Sequence, residues 1–151
     1  MAATRKRKTK APKRRAAKST GAARGGNSLK FLSSPKARQL PFSDAVRAGN
    51  LLYVSGQIGV DENLQLAPGG ILAEANRALE NMRAVLERNG SSLDRVIKCS
   101  VMLVDMNEWD AMNTVYASFF PKNRMPARSA FAGTGLALGA RVEIDCIATV
   151  K

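Results

Sequence analysis

From residue 45 onward, apolar and polar positions switch between the two-residue period of strands and the three-to-four-residue period of helices. Ala45 to Ala48 and Leu51 to Ile58 flank Gly49-Asn50, two residues that tolerate positive φ, which predicts a hairpin. Residues 61–70 are polar and contain Pro68-Gly69-Gly70, so they predict a turn region with at most a short strand around Gln65 and Leu66. Leu72, Ala75, Leu79, Met82 and Leu86 then recur at spacings of three and four, the core-facing stripe of a helix that ends at Gly90. Glu74, Arg77, Glu80, Arg83 and Glu87 make its solvated face.

Residues 96–104 predict a strand in which Ile97, Cys99, Val101 and Leu103 alternate with Val96, Lys98, Ser100 and Met102. Asn107 is a good N-cap for a second helix running to Phe120, with Asp110 in its first turn and Pro121 beyond its end. The last strand, residues 141–150, puts Val142, Ile144, Cys146, Ala148 and Val150 on one face and Arg141, Glu143, Asp145, Ile147 and Thr149 on the other. Its apolar face should meet the helices, which points Glu143 away from them. Two helices cover one face of such a sheet, leaving Leu51, Tyr53, Val96, Met102 and Ile147 partly on the other. An oligomer would bury that face; the alternative is a monomer with a partly apolar sheet.

Charge changes the picture at the N-terminus. The formal net charge is +12 at pH 7, yet 13 of the 24 basic residues and none of the 12 acidic ones fall within residues 1–40. The remainder carries 11 basic against 12 acidic residues, with no built-in pull on phosphate. Residues 5–18 offer like charges and almost nothing to bury, and Gly25-Gly26 continues as linker. We therefore expect a disordered basic tail and linker over residues 1–36 and one domain over residues 37–151, its working part starting near Pro41. The chain has no histidine, which excludes Ser-His-Asp triads and histidine-based zinc hydrolysis. Cys99 and Cys146 are isolated, suggesting neither a zinc site nor a disulfide scaffold, and point to a reducing, cytoplasmic setting. No apolar run reaches the length of a membrane span. No metal and no cofactor is expected.

Few residues remain for chemistry: Ser55-Gly56-Gln57, Arg128 in Pro126-Ala127-Arg128-Ser129, and Glu143 on the last strand. Singly, each has an ordinary explanation: a turn closing a strand, a surface cation, a carboxylate paired with Arg141. In combination and order, Val54-Ser55-Gly56-Gln57-Ile58, the helix from Asn107 to Tyr116, Pro126-Ala127-Arg128-Ser129 and Val142-Glu143-Ile144-Asp145 resemble the RidA (YjgF) family. Ala48-Gly49-Asn50 before the second strand, Gly69-Gly70 before the first helix and Ala78-Leu79-Glu80-Asn81 within it extend the likeness over residues 41–151.

The resemblance implies an α+β fold, a mixed six-stranded sheet with two helices on one face, chorismate-mutase-like, assembled as a homotrimer with sheets facing inward and active sites at the subunit interfaces. It implies hydrolysis of reactive enamines and imines, such as 2-aminoacrylate and 2-iminopropanoate, to 2-oxo acids and ammonia. An imino acid is already electrophilic at its C=N carbon, so a carboxylate anchor, a positioned water and a proton relay suffice. Arg128 matches the family's carboxylate-binding arginine, whose planar fork grips a carboxylate through two bonds. Glu143 matches the glutamate that orients the water. Ser55, Gly56 and Asn113 match residues shaping the pocket. Three positions depart from the pattern: Phe42 stands where tyrosine is usual, keeping the ring and losing the hydroxyl, which is expected either to lower activity or to favour a bulkier, more apolar imine. Ala130 stands where a cysteine is frequent, and only the backbone of that position should face substrate. Ala137 replaces a frequent proline, a matter of stability.

The main rival is a nucleic-acid-associated trimer displaying three basic tails, with ribonuclease activity as described for some relatives; three linked weak contacts add avidity. Retention of Arg128 and Glu143 favours the enzyme, and the tail lacks the aromatic residues used for single-strand stacking. The tail also reads as an organellar or nuclear targeting segment, or simply as a solubilising one.

Overall fold

A computed structural model describes residues 28–35 and 39–151 of the chain. Six strands, β1 (Leu29–Leu32), β2 (Ala45–Ala48), β3 (Leu51–Ile58), β4 (Val96–Leu103), β5 (Ala127–Ala132) and β6 (Val142–Thr149), are joined by α1 (Gly70–Arg88) and α2 (Trp109–Phe119). They form one sheet in the order β1-β2-β3-β6-β4-β5. Every neighbouring pair is antiparallel except β4 and β5. A parallel pair needs a crossover, and α2 supplies it. The architecture is thus the mixed six-stranded sheet with two helices expected from the sequence.

The hairpin between β2 and β3 turns where Gly49-Asn50 predicts it, and Gly49 alone takes a positive φ, of 62°. Leu79, Met82 and Leu86 of α1 are fully buried in one core cluster with Leu52, Val101, Leu103, Met112, Val142 and Ile144. Each such side chain contributes about 1.5–3 kcal/mol through burial.

Several details depart from the sequence reading. Residues 29–32 do not belong to a linker: they pair in register with β2, from Leu29 with Ala48 to Leu32 with Ala45, and satisfy backbone groups that β2 would otherwise present at an open edge. Residues 1–27 and 36–38, which hold the rest of the expected tail, lie outside the described residues. On α1 the core stripe begins at Ile71, and Leu72 is 50% exposed. Glu74, expected in solvent, is only 5% exposed because its carboxylate accepts a hydrogen bond of 2.7 Å from the Arg141 backbone N–H. In β4 the pairing with β6 slips between Val96 and Lys98, so Val96 turns into the core and Ile97 outward, the reverse of strict alternation. Asp105, two residues before the expected Asn107, caps the second helical segment. Its carboxylate accepts from Asn107 N at 2.9 Å, a 3-10 turn follows over Met106–Glu108, and α2 begins at Trp109.

The face opposite the helices is open. Register aligns Phe31, Val46, Tyr53 and Ile147 in one row across four strands, and Met102 and Phe131 in another. Phe31 is 70% and Tyr53 45% exposed.

Candidate active site

Strand β6 buries Val142, Ile144, Cys146 and Ala148 against the helices, which turns Glu143 and Asp145 to the open face as the alternation predicts. Opposite them, β3 is bulged. Val54 pairs with Cys146 and Gln57 with Ile144, so Ser55 and Gly56 together face Asp145. Glu143 lies over the bulge: a Cβ on Gly56 would sit 1.8 Å from Glu143 Oε1. Only glycine leaves the carboxylate in this position, because any larger residue would displace it. Among the described residues Glu143 makes no ion pair and no hydrogen bond. Partial burial, and then the neighbouring Asp145 carboxylate, push its pKa above the usual glutamate range.

Ser55 serves the neighbouring loop. Its hydroxyl donates to Ser43 O at 2.7 Å, and its N–H donates to Asp44 O at 3.0 Å. These bonds seat the segment carrying Phe42 beside β3. Phe42, Ser43 and Ser55 line an open cavity of about 560 Å³ together with Phe31, Leu40 and Val46.

Arg128 lies elsewhere. On β5 it is the register partner of buried Cys99, so its side chain projects on the helix-covered side of the sheet. There its guanidinium carbon stands 4.6 Å from the ring centroid of Tyr116 and 5.7 Å from that of Trp109. Trp109, Asn113 and Tyr116 are spaced by four and three residues on α2 and share one face. Neither aromatic residue was singled out as a site residue from the sequence; that spacing, read together with Asn113, was the available signal. Cation–π contacts of this kind hold a guanidinium plane with about 0.5–2 kcal/mol. Arg128 forms no ion pair among the described residues. It opens onto a cavity of about 400 Å³ lined also by Asn113, Tyr116, Ala117, Met125 and Pro126.

Within this pocket Asn113 Oδ1 and the Tyr116 hydroxyl are buried without a hydrogen-bond partner of good geometry among the described residues. Burial first, and then the adjacent Cys99 thiol, push the Tyr116 pKa upward. Burial likewise raises Cys99 to about 11, which makes it an inert core thiol. Ala130 pairs with Val101 and packs at the edge of the core, so its methyl group points inward.

The candidate residues therefore fall into two groups. Ser55, Gly56 and Glu143, with Phe42 nearby, occupy the open side of the sheet. Arg128 and Asn113 occupy the helix side at the β5 edge. A single chain does not bring Arg128 and Glu143 onto one face. Among the described residues no group of three or more Cys, Asp or Glu side chains could hold a metal ion, and no helix is long and apolar enough to cross a membrane.

The mixed six-stranded sheet with two helices is a fold that solved structures share. Residues 32–150 match the family described as Endoribonuclease L-PSP, and the chain belongs to this family, the RidA/YjgF family that its motifs resemble. It is 39% identical over 122 residues to a Mus musculus protein named 2-iminobutanoate/2-iminopropanoate deaminase, covering 79% of this chain and 90% of that protein. It is 43% identical to the RutC family protein UK114 of Drosophila melanogaster, covering 79% and 88%. The solved structure of RidA from an Antarctic Psychrobacter superposes with a TM-score of 0.69 at 36% identity, covering 73% of this chain and 89% of that one.

Proposed function

We infer that this chain is a hydrolytic deaminase of 2-imino acids and their enamine tautomers, acting as a homotrimer in which Arg128 of one subunit and Glu143 of another complete each site. The observation that carries this reading is a guanidinium and a carboxylate, each without a charge partner, on opposite faces of one sheet. The exposed row from Phe31 to Ile147 supports burial of the open face by further copies, and relatives named as 2-iminobutanoate/2-iminopropanoate deaminases support the reaction.

In this scheme Arg128 binds the substrate carboxylate through two parallel N–H bonds and so fixes the C=N carbon. Water adds to that carbon while Glu143 takes one of its protons. Glu143 delivers that proton to the nitrogen, giving a 2-amino-2-hydroxy acid; the hydroxyl proton then passes through Glu143 to the amine, and the C–N bond breaks as the C=O bond forms, releasing ammonia and a 2-oxo acid. An enamine substrate is first protonated at its terminal carbon to give the imine. A carboxylate whose proton affinity is raised by burial is suited to both directions of this transfer. Asn113 and Tyr116 present buried polar atoms to the substrate pocket, and Phe42 and Leu40 offer an apolar wall to the side chain of a larger imine.

The test couples an amino-acid oxidase to the protein and follows loss of the imine. Wild type should accelerate it; Arg128→Ala and Glu143→Gln should each abolish most of the effect, and a variant lacking residues 1–27 should retain it. Mixing the two inactive variants under subunit exchange should restore about one quarter of wild-type activity, the statistical share of interfaces with both groups intact. No restoration would overturn the shared site. The 13 basic residues within residues 1–40 support a secondary, salt-sensitive contact with nucleic acid. The free, buried Cys99 and Cys146 support a reducing, cytoplasmic compartment.

A further inference from the structure

Two carboxylates stand in line on the open face of β6. Glu143 and Asp145 are two residues apart on one strand, so their side chains leave the same face roughly 7 Å apart at their origins. Within one chain the elements beside them add no neutralising charge. From β3 come Ile58, the register partner of Glu143, and the Ser55-Gly56 bulge, with Tyr53 further along; from β4 come Met102 and Ser100, the register partners of Glu143 and Asp145. Lys98 is the nearest cationic residue along β4, and its ammonium donates to Ser129 Oγ at 2.7 Å. Arg128 is on the other face. Neither Glu143 nor Asp145 forms an ion pair among the described residues.

Asp145 is also held in place. Its Oδ1 accepts a hydrogen bond from Ser100 N at 3.2 Å, opposite the Ser55-Gly56 bulge. An asparagine could accept that bond equally well, so the feature that aspartate adds at this position is negative charge. Like charges this close disfavour joint ionisation, and the effect of Asp145 on Glu143 is to strengthen its hold on a proton, second only to burial.

We propose that Asp145 is a positioning residue for the reaction: its carboxylate, held by Ser100 N–H on the same face of β6, acts through Glu143 on the attacking water. This rests on the assignment of Glu143 as the group that handles the water proton. An ordinary carboxylate is a weak base at neutral pH, and a general base works best when its proton affinity approaches the operating pH. Burial and a second carboxylate both raise that affinity by disfavouring the ionised form, and the second carboxylate does so while leaving the site open to water.

The experiment uses full-length protein and the charge-only variant Asp145→Asn. Carbon-13 NMR of side-chain-labelled glutamate, with the Glu143 signal identified by its loss in Glu143→Gln, should show Glu143 titrating at lower pH in Asp145→Asn than in wild type. Asp145→Glu should return it toward the wild-type position. An unmoved titration overturns the proposal whether or not the protein is active. In parallel, the acid limb of the kcat profile for 2-iminopropanoate should move to lower pH in Asp145→Asn, with KM unchanged. A fall in kcat at all pH values with the limb in place marks a structural role and overturns the proposal as well. A displaced NMR titration in a wild type that hydrolyses no imine would instead overturn the assigned reaction, and with it the role of Asp145 in it.

Discussion

Arg128 and Glu143 are held by opposite means. Arg128, on the edge strand β5, lies over the faces of two aromatic side chains from α2 and is positioned by stacking. Glu143, on the interior strand β6, touches no cation and is positioned by space: a bulge in β3 and a glycine leave room for its carboxylate. The contrast follows from the groups. A guanidinium is weakly hydrated and gains from an aromatic face, so it can be held firmly while its N–H edge stays free for a ligand. A carboxylate held by a cation would lose the proton affinity that a base needs, so steric fit must do the holding. A stacked anchor should degrade gradually on mutation, and a sterically fitted base should fail abruptly.

The largest effect is expected at Gly56. In Gly56→Ala the new methyl group occupies the position of Glu143 Oε1, so the carboxylate must shift by an ångström or more. Steady-state kinetics should show kcat reduced on the order of 10²-fold with KM little altered. Wild-type kcat in that variant would detach the observed position of Glu143 from the chemistry.

A smaller, graded effect is expected on the other side. Tyr116→Leu removes the nearer ring under the guanidinium, and the lost contact, about 0.5–2 kcal/mol, should raise KM by roughly two- to thirty-fold. Tyr116→Phe keeps the ring and deletes only the hydroxyl facing the substrate pocket, so Tm should hold and KM should rise less than in Tyr116→Leu. Equal damage from both variants would assign the hydroxyl, and not the stacking, to the anchor.

The smallest effect is thermodynamic. Glu143 holds its proton more tightly in the folded chain than at its ordinary value of 4.5, because it is partly buried beside Asp145. The native state therefore binds more protons than the unfolded state between those two values, and wild-type stability falls as pH rises through that window. Gln does not titrate. Thermal melts should find Glu143→Gln more stable relative to wild type at about pH 7.5 than at about pH 4, where both forms are neutral. A difference in Tm that does not change with pH would mean the carboxylate is not strained by its surroundings.

Much of this was legible before any coordinates. The alternation in residues 141–150 places Glu143 opposite the helices, and the structure agrees. The Gly49-Asn50 turn, both helices and the six-stranded sheet also follow from period and turn chemistry or from the motif likeness. Leu72, Glu74, Val96 and Ile97 follow strict periodicity in the sequence and depart from it in the fold, where Arg141 bonds Glu74 and a bulge flips Val96 and Ile97. Two departures have other origins: Asp105, two residues before Asn107, supplies the cap, and residues 29–32, linker-like in composition, pair with β2.

By itself the sequence determined what each segment becomes, because strand and helix periods, glycine turns and capping residues act over a few neighbouring positions. It also specified the chemical inventory: no histidine, one arginine in a Pro-Ala-Arg-Ser motif, and a glutamate on the polar face of the last strand. Only the tertiary structure decided that β5 lies parallel to β4 with Arg128 beside Cys99, which puts the cation on the helix side and the carboxylate on the other. It alone revealed the bulge that lets Gly56 receive Glu143 and the aromatic residues beneath Arg128. Those facts depend on register between strands far apart in the chain, and a slip of one residue would exchange the faces of every side chain involved.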